Sequence, residues 1–248
     1  MLHADRYFSP DSGVRTIARE LYEKVVNTPL ICPHGHVDPK VLSENAPFPD
    51  PAKLIITSDH YIFRMLYSQG LTLEQLGIRA VNGAAASTDT ETDSRKIWQT
   101  FAEHIYLFRG TPTSCWLKHE FAEVFGIEER LTGDTAMAIY DAIAGKLNSD
   151  EFLPRQLYER FNIELLATTD AATDTLEEHI KIRDSGWKGK VIPTFRPDSL
   201  VNLLQSNWKS AIDRLSELVG SEVTDFQSYL RAIESRRAFF KSVGATAT

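Results

Sequence analysis

Residues 29–39, Pro29-Leu-Ile-Cys-Pro-His-Gly-His-Val-Asp-Pro39, pass from a short apolar run into turn-forming and ionisable residues. An apolar run of this kind, bounded by prolines, reads as a buried strand, Leu30 to Cys32, with a functional mouth. Before it, Val14, Ile17, Ala18, Leu21, Tyr22 and Val25 recur at helical spacing behind the candidate caps Asp11 and Ser12, which predicts a packed first helix. After residue 161 the texture changes to strand, helix, strand: Ile163 to Thr168, a helix near Thr175 to Asp184, a break at Gly186, then Lys190 to Phe195. Strands alternating with helices predict a parallel sheet in an α/β fold. Two further helices are expected, around Leu200 to Val219 and Thr224 to Lys241.

The intervening stretch is helical almost throughout. Ile97, Phe101 and Ile105 form one stripe, Leu117, Phe121 and Val124 a second, and Ala136, Tyr140, Ile143 and Leu147 a third. The expected organisation is therefore 1–60 for the first helix, first strand and its loop, 61–161 for an inserted helical lobe, and 162–248 for further strand–helix units. Asn82 to Asp93 is small and polar enough to be a loop.

Composition narrows the function. The chain has 248 residues, 42% apolar and 25% charged, so a packed core is expected. Lys plus Arg total 27 against 34 Asp plus Glu, a net charge of −7 with no long basic run, which argues against a nucleic-acid partner. No apolar stretch approaches the ~18 residues of a membrane span, the start lacks a secretory leader, and two cysteines make no disulfide framework, so the expectation is a cytoplasmic protein.

Chemistry is expected at the carboxyl ends of the strands, where parallel α/β folds build their sites. The residues there are 33–38, Thr169-Asp170 and Arg196-Pro-Asp198, all polar. His34 and His36 are two apart, so on extended backbone they share a face, as two ligands of one metal require. A pair of solvated turn histidines is the alternative. His60 and Arg64 lie one helical turn apart, but spacing alone favours a capped helix start at Ser58 or Asp59. Arg196 at a strand end suits a carboxylate held by two hydrogen bonds, or else an internal ion pair with Asp198 or Asp170. Cys32 reads as a buried thiol. His104, His119 and His179, inside helical patterns, read as packing or surface residues. There is no G-x-G-x-x-G, Walker loop or G-x-S-x-G.

Taken together, the sequence resembles uronate isomerase, also called glucuronate isomerase, a branch of the amidohydrolase superfamily. The resemblance is carried by His34-Gly-His36 with Asp38-Pro39, Ser58-Asp-His-Tyr61 with Arg64, Gly110-Thr-Pro with Trp116-Leu117, Val124-Phe-Gly-Ile127, Phe161-Asn-Ile-Glu164 through Thr168-Thr-Asp170, and Pro193-Thr-Phe-Arg-Pro-Asp198. It implies a distorted (β/α)8 barrel with a helical insertion after the first strand. It also implies a divalent metal, commonly zinc, held in part by His34 and His36, and a hexuronate site lined by His60, Tyr61 and Arg196. The implied reaction isomerises glucuronate to fructuronate and galacturonate to tagaturonate, by an enzyme expected to be a homo-oligomer at full length. Of the implied catalytic residues, Tyr61 and His60 lie within this chain.

The resemblance covers only the amino-terminal half of the family chain. The sequence ends at what the likeness implies is the fourth barrel strand, before the family's metal-binding aspartate on the last strand. Moving a carbonyl from C1 to C2 takes a proton from C2 and returns one to C1 through an enediol. The implied base is that absent aspartate, so the chain alone is expected to be inactive. Two other readings are a metal-dependent amidohydrolase using the same histidines to activate water, and a catalytically silent half-barrel that assembles with a partner.

Overall fold

The computed structural model describes residues 2–79 and 90–248, so residues 82–89 of the expected polar loop lie outside the described residues. In chain order the elements are α1 (Ser12–Val25), β1 (Leu30–Cys32), α2 (Pro39–Glu44), α3 (His60–Ser68), α4 (Ser94–Glu103), α5 (Pro112–His119), α6 (Ala136–Leu147) and α7 (Pro154–Arg160). There follow β2 (Ile163–Ala167), β3 (Asp170–Ala171), α8 (Glu177–Asp184), β4 (Lys190–Ile192), β5 (Phe195–Arg196), α9 (Asp198–Val201), α10 (Trp208–Val219) and α11 (Phe226–Val243). Two compact units result: Met1–Val26 with Pro47–Leu153, and Asn27–Ala46 with Pro154–Thr248. The first helix thus groups with the helical lobe, whereas its sequence position had suggested grouping with the first strand.

In the helical unit the three expected stripes supply buried residues: Ile97 and Phe101 on α4, Leu117 on α5 with Phe121 beyond it, and Ala136, Tyr140, Ile143 and Leu147 on α6. Trp98 is fully buried among the rings of Phe101, Phe121 and Tyr140, and its indole N–H donates to the Ala136 carbonyl at 2.9 Å. That bond satisfies the one polar atom of the largest core side chain. Asp93 caps α4 by accepting from the Arg95 amide at 2.9 Å. No residue of α1 is buried, and Val14, Ile17, Leu21, Tyr22 and Val25 are exposed, so its amphipathic pattern marks an open apolar face where a packed helix was expected.

In the other unit β1, β2 and β4 form a parallel sheet in that order, and β3 and β5 form a parallel pair. The two pairings are one ladder with a break in it. Across the break Thr168 N–H donates to the Ile192 carbonyl at 2.9 Å, Thr194 N–H to the Thr168 carbonyl at 3.1 Å, and Asp170 N–H to the Thr194 carbonyl at 3.1 Å. Pro193 lacks an N–H and sits at the interruption between β4 and β5. Leu42, Tyr158, Leu166, Ile182 and Val191 join α2, α7 and α8 to the sheet, with half-buried Cys32 packed against them. Leu30 and Ile31, expected to be buried, are 51% and 63% exposed, because β1 is an edge strand paired only with β2.

The helix expected from Leu200 to Val219 is divided into α9 and α10, since Asn202 leaves helical backbone at φ −87°, ψ 87°. The Leu200 carbonyl freed near this break accepts from the Trp208 indole at 2.8 Å and the Tyr229 hydroxyl at 3.1 Å. Arg236 of α11 is buried, donating from Nε to the Ala172 carbonyl at 3.0 Å and from Nη2 to the Asp174 carbonyl at 2.5 Å, with its guanidinium against the rings of Phe239 and Phe240. It ties α11 to the loop that follows β3. Arg236→Met keeps the packing volume but strands two carbonyls, so urea unfolding is expected to show a loss of about 2–3 kcal/mol. Unchanged stability would mean that water replaces both bonds.

Candidate active-site cleft at the strand ends

The loop after β1 is held against β2 by one backbone bond, Gly35 N–H to the Ala167 carbonyl at 2.7 Å. A side chain at position 35 would meet that oxygen and Leu166 Cδ1, each at 3.0 Å from its Cβ, so a glycine is needed for the approach. Closing the loop here turns both flanking histidines to one point: His34 Nε2 and His36 Nε2 are 3.0 Å apart, with the rings edge to face. Both are exposed. Two unprotonated imidazole nitrogens so close repel unless a proton or a cation lies between them. Nitrogen–metal bonds of about 2.0–2.1 Å bring two ligand nitrogens to about this separation, and imidazole is a common ligand of divalent transition metals, so the pair fits one ion. Among the described residues no group of three or more His, Cys, Asp or Glu is arranged to hold a metal, so the pair stands without a third protein ligand here.

Beside His36 a cleft of about 370 Å³ opens at the carboxyl end of the sheet, lined by Asp38, Thr169, Asp170, Asp174 and His179 among others. Asp38 caps α2 through the Lys40 amide. Asp170 is buried, and its Oδ2 accepts from the Thr168 hydroxyl at 2.7 Å and from the Thr194 amide at 3.3 Å. His179 Nε2 lies 2.8 Å from the same hydroxyl and 3.8 Å from Asp170 Oδ2. Burial pushes the Asp170 carboxyl up from the usual range, against the opposing pull of the Thr168 hydrogen bond and of His179. Burial pushes His179 down, favouring the neutral ring. His179 is packed inside, as one of its two sequence readings has it, and is also a member of a buried polar network. The pointers available were the pair Thr168 and Asp170 at a strand end, followed by a helix that returns to pack on β4.

Arg196 ends β5 in this same unit, and its guanidinium is engaged by Asp198, Nε to Oδ2 at 3.0 Å and Nη2 to Oδ1 at 3.4 Å. Of the alternatives open in the sequence, the ion pair with Asp198 is the one present. The bond holds the Asp198 carboxyl below the usual range. In the helical unit, Asp59 caps α3 by accepting from the Tyr61 amide at 2.8 Å, which sets His60 and Tyr61 at the start of that helix. Their rings are 4.3 Å apart, both side chains are exposed, and Arg64 lies over the Tyr61 ring at 5.7 Å. In the same unit Glu120 is exposed, and desolvation of its carboxyl, with the Asp59 charge adding, raises its pKa.

Residues 12–248 match the sequence model of the glucuronate isomerase family. A uronate isomerase of Mesorhizobium japonicum is 50% identical over 244 residues, covering 98% of this chain and 51% of the relative. The crystal structure of a glucuronate isomerase from Caulobacter crescentus superposes with a TM-score of 0.94 at 44% identity, covering 99% of this chain and 50% of that one. A uronate isomerase structure from Thermotoga maritima gives a TM-score of 0.87 at 25% identity with the same coverage. The chain therefore spans about half the length of the relatives it matches.

The loop geometry makes one substitution decisive. Gly35→Ala must push the loop from β2 by a few tenths of an ångström, and zinc affinity measured by calorimetry is expected to fall about tenfold or more while the chain stays folded. Unaltered zinc affinity would mean that the histidine pair does not depend on this contact.

Proposed function

The chain belongs to the glucuronate isomerase family, and from that premise we propose that it carries the amino-terminal half of a hexuronate isomerase. The reaction is the interconversion of aldose and ketose forms, glucuronate to fructuronate and galacturonate to tagaturonate. The observation that carries the proposal is the convergence of the His34 and His36 nitrogens at the mouth of β1 in a chain of this family.

In this reading the parallel units β1, β2–β3 and β4–β5 are the opening strands of a distorted (β/α)8 barrel. Support comes from beyond α11, where Phe195 N–H donates to the Ala247 carbonyl at 3.2 Å, so the last residues run beside β5 as a next strand would. The apolar side chains of Leu30 and Ile31 on the opposite edge are the kind of surface that further barrel strands bury. The helical segment between β1 and β2 is the insertion.

His34 and His36 would hold a divalent metal, which we take to be zinc. When bound, such an ion supplies Lewis acidity that polarises a carbonyl and steadies developing negative charge on oxygen. The rest falls to side chains. Arg196, at the end of β5, would exchange Asp198 for the substrate carboxylate, a trade of one bidentate partner for another. His60 and Tyr61 would line the sugar, with the exposed Tyr61 phenol donating to or orienting a substrate oxygen while a proton passes from C2 to C1. The base belongs to the part of the relatives that this chain does not cover. A cytoplasmic location and a homo-oligomeric full-length form accompany this reading.

A chimera tests it. Residues 1–248 joined to the carboxyl-terminal half of the Mesorhizobium japonicum relative are expected to convert D-glucuronate to fructuronate, and His34→Ala or His36→Ala to cut kcat/KM by about 10²-fold or more. The 248-residue chain alone is expected to be silent. A chimera that cleaves amides or lactones and leaves glucuronate unchanged would establish the amidohydrolase reading in its place.

A further inference from the structure

The hydrogen bonds around Asp170 run in one direction. The Thr168 hydroxyl has one proton, and the 2.7 Å bond to Asp170 Oδ2 uses it, in preference to the Ile192 carbonyl at 3.3 Å. Its oxygen then accepts from His179 Nε2–H at 2.8 Å. This fixes the ring as the Nε2–H tautomer and leaves Nδ1 a bare acceptor, buried with no partner among the described residues. An unpartnered buried nitrogen costs stability. What the arrangement secures in return is the orientation of a carboxylate.

That carboxylate differs from the others around the cleft. Asp38 and Glu177 are exposed, Asp38 capping α2; Asp174 accepts from the Leu176 amide at 2.6 Å in the loop before α8, and Glu178 accepts from Ser43 and Lys181. Asp170 is 7% exposed and takes both of its donors on Oδ2. Among the described residues Oδ1 has no donor, and Asp170 is one of the residues that line the cleft. A desolvated carboxylate oxygen that opens on a cleft at the strand ends, with its other oxygen pinned by two donors, is built to accept a hydrogen bond from a neutral O–H.

We propose that Asp170 Oδ1 accepts a hydrogen bond from one hydroxyl of the sugar chain, and that Thr168 and His179 are positioning residues that hold the carboxylate toward the cleft. The proposal rests on the hexuronate reading for the class of ligand. A carboxylate here selects a hydroxyl and repels a second anion, so the acidic end of the substrate points away from Asp170.

The test is a binding cycle on the 248-residue chain, followed by NMR at the Thr194 amide, which donates to Asp170 Oδ2. D-glucuronate and a series of its monodeoxy analogues are titrated into the native chain and into Asp170→Asn. One analogue is expected to bind the native chain about tenfold more weakly than glucuronate, and Asp170→Asn to weaken glucuronate by a similar factor while no longer distinguishing that analogue. A purely structural Asp170 would weaken every ligand equally. His179→Leu is expected to reproduce the loss, and His179→Gln, whose amide N–H can still donate to Thr168, to restore most of it. If His179→Leu does not fold, Thr168→Val serves in its place. Equal weakening across the series, no weakening, or no glucuronate-dependent change at Thr194 would each overturn the assignment. Isomerase activity does not enter this measurement, so an inactive chimera would count against the hexuronate reaction and leave the hydroxyl contact to stand on the binding cycle.

Discussion

The bond from Gly35 N–H to the Ala167 carbonyl is the constraint on which the strand-end cleft depends. It continues the pairing of β1 with β2 past the last residue of β1, into a loop that would otherwise be free. Because position 35 has no side chain, the loop backbone reaches van der Waals range of Leu166 and Ala167. The residues on either side of it then have little choice of direction. Extended backbone sends the alternate positions 34 and 36 to one side, and the bond at 35 fixes which side that is.

A second constraint lies on the neighbouring strands. The ladder between β2 and β4 breaks and resumes as β3 and β5, and side chains make up for what the break costs. Thr168 and Asp170 fill it from one strand, Thr194 contributes an amide from the other, and His179 seals it from α8. A break at the carboxyl end of a parallel sheet does two things together: it stops the regular pairing, and it frees polar groups to face the cleft. The histidine pair and the pinned Asp170 carboxylate are thus presented by adjacent strands, each by a local departure from regular strand geometry.

Much of this was legible in the sequence because periodicity and punctuation are local. The apolar run at Leu30 to Cys32, the change of texture after Phe161 and the three helical stripes became elements near the expected positions. Burial was less legible. The spacing of Val14, Ile17, Leu21, Tyr22 and Val25 marks an amphipathic helix, but periodicity cannot say what covers the apolar face, and here it is open. The same holds for Leu30 and Ile31, whose exposure follows from β1 being an edge strand, a property of topology. Side-chain partnerships were the least legible. Arg196 had Asp198 and Asp170 as candidate partners two and twenty-six residues away, and nothing in the string chose between them; in the fold the guanidinium pairs with Asp198. His179 reads in the string as a packing or surface residue of a helix, because its partner Thr168 is eleven residues away across a loop.

The central claim is that the fold of this chain brings His34 and His36 to a common ligating point. Anomalous scattering at the zinc edge from crystals of the 248-residue chain grown with zinc tests it most directly. The account predicts a single peak at the mouth of β1, about 2.0–2.1 Å from both Nε2 atoms, with the Gly35–Ala167 bond intact. Zinc bound elsewhere, or bound to one of these histidines while the other turns away, would contradict it.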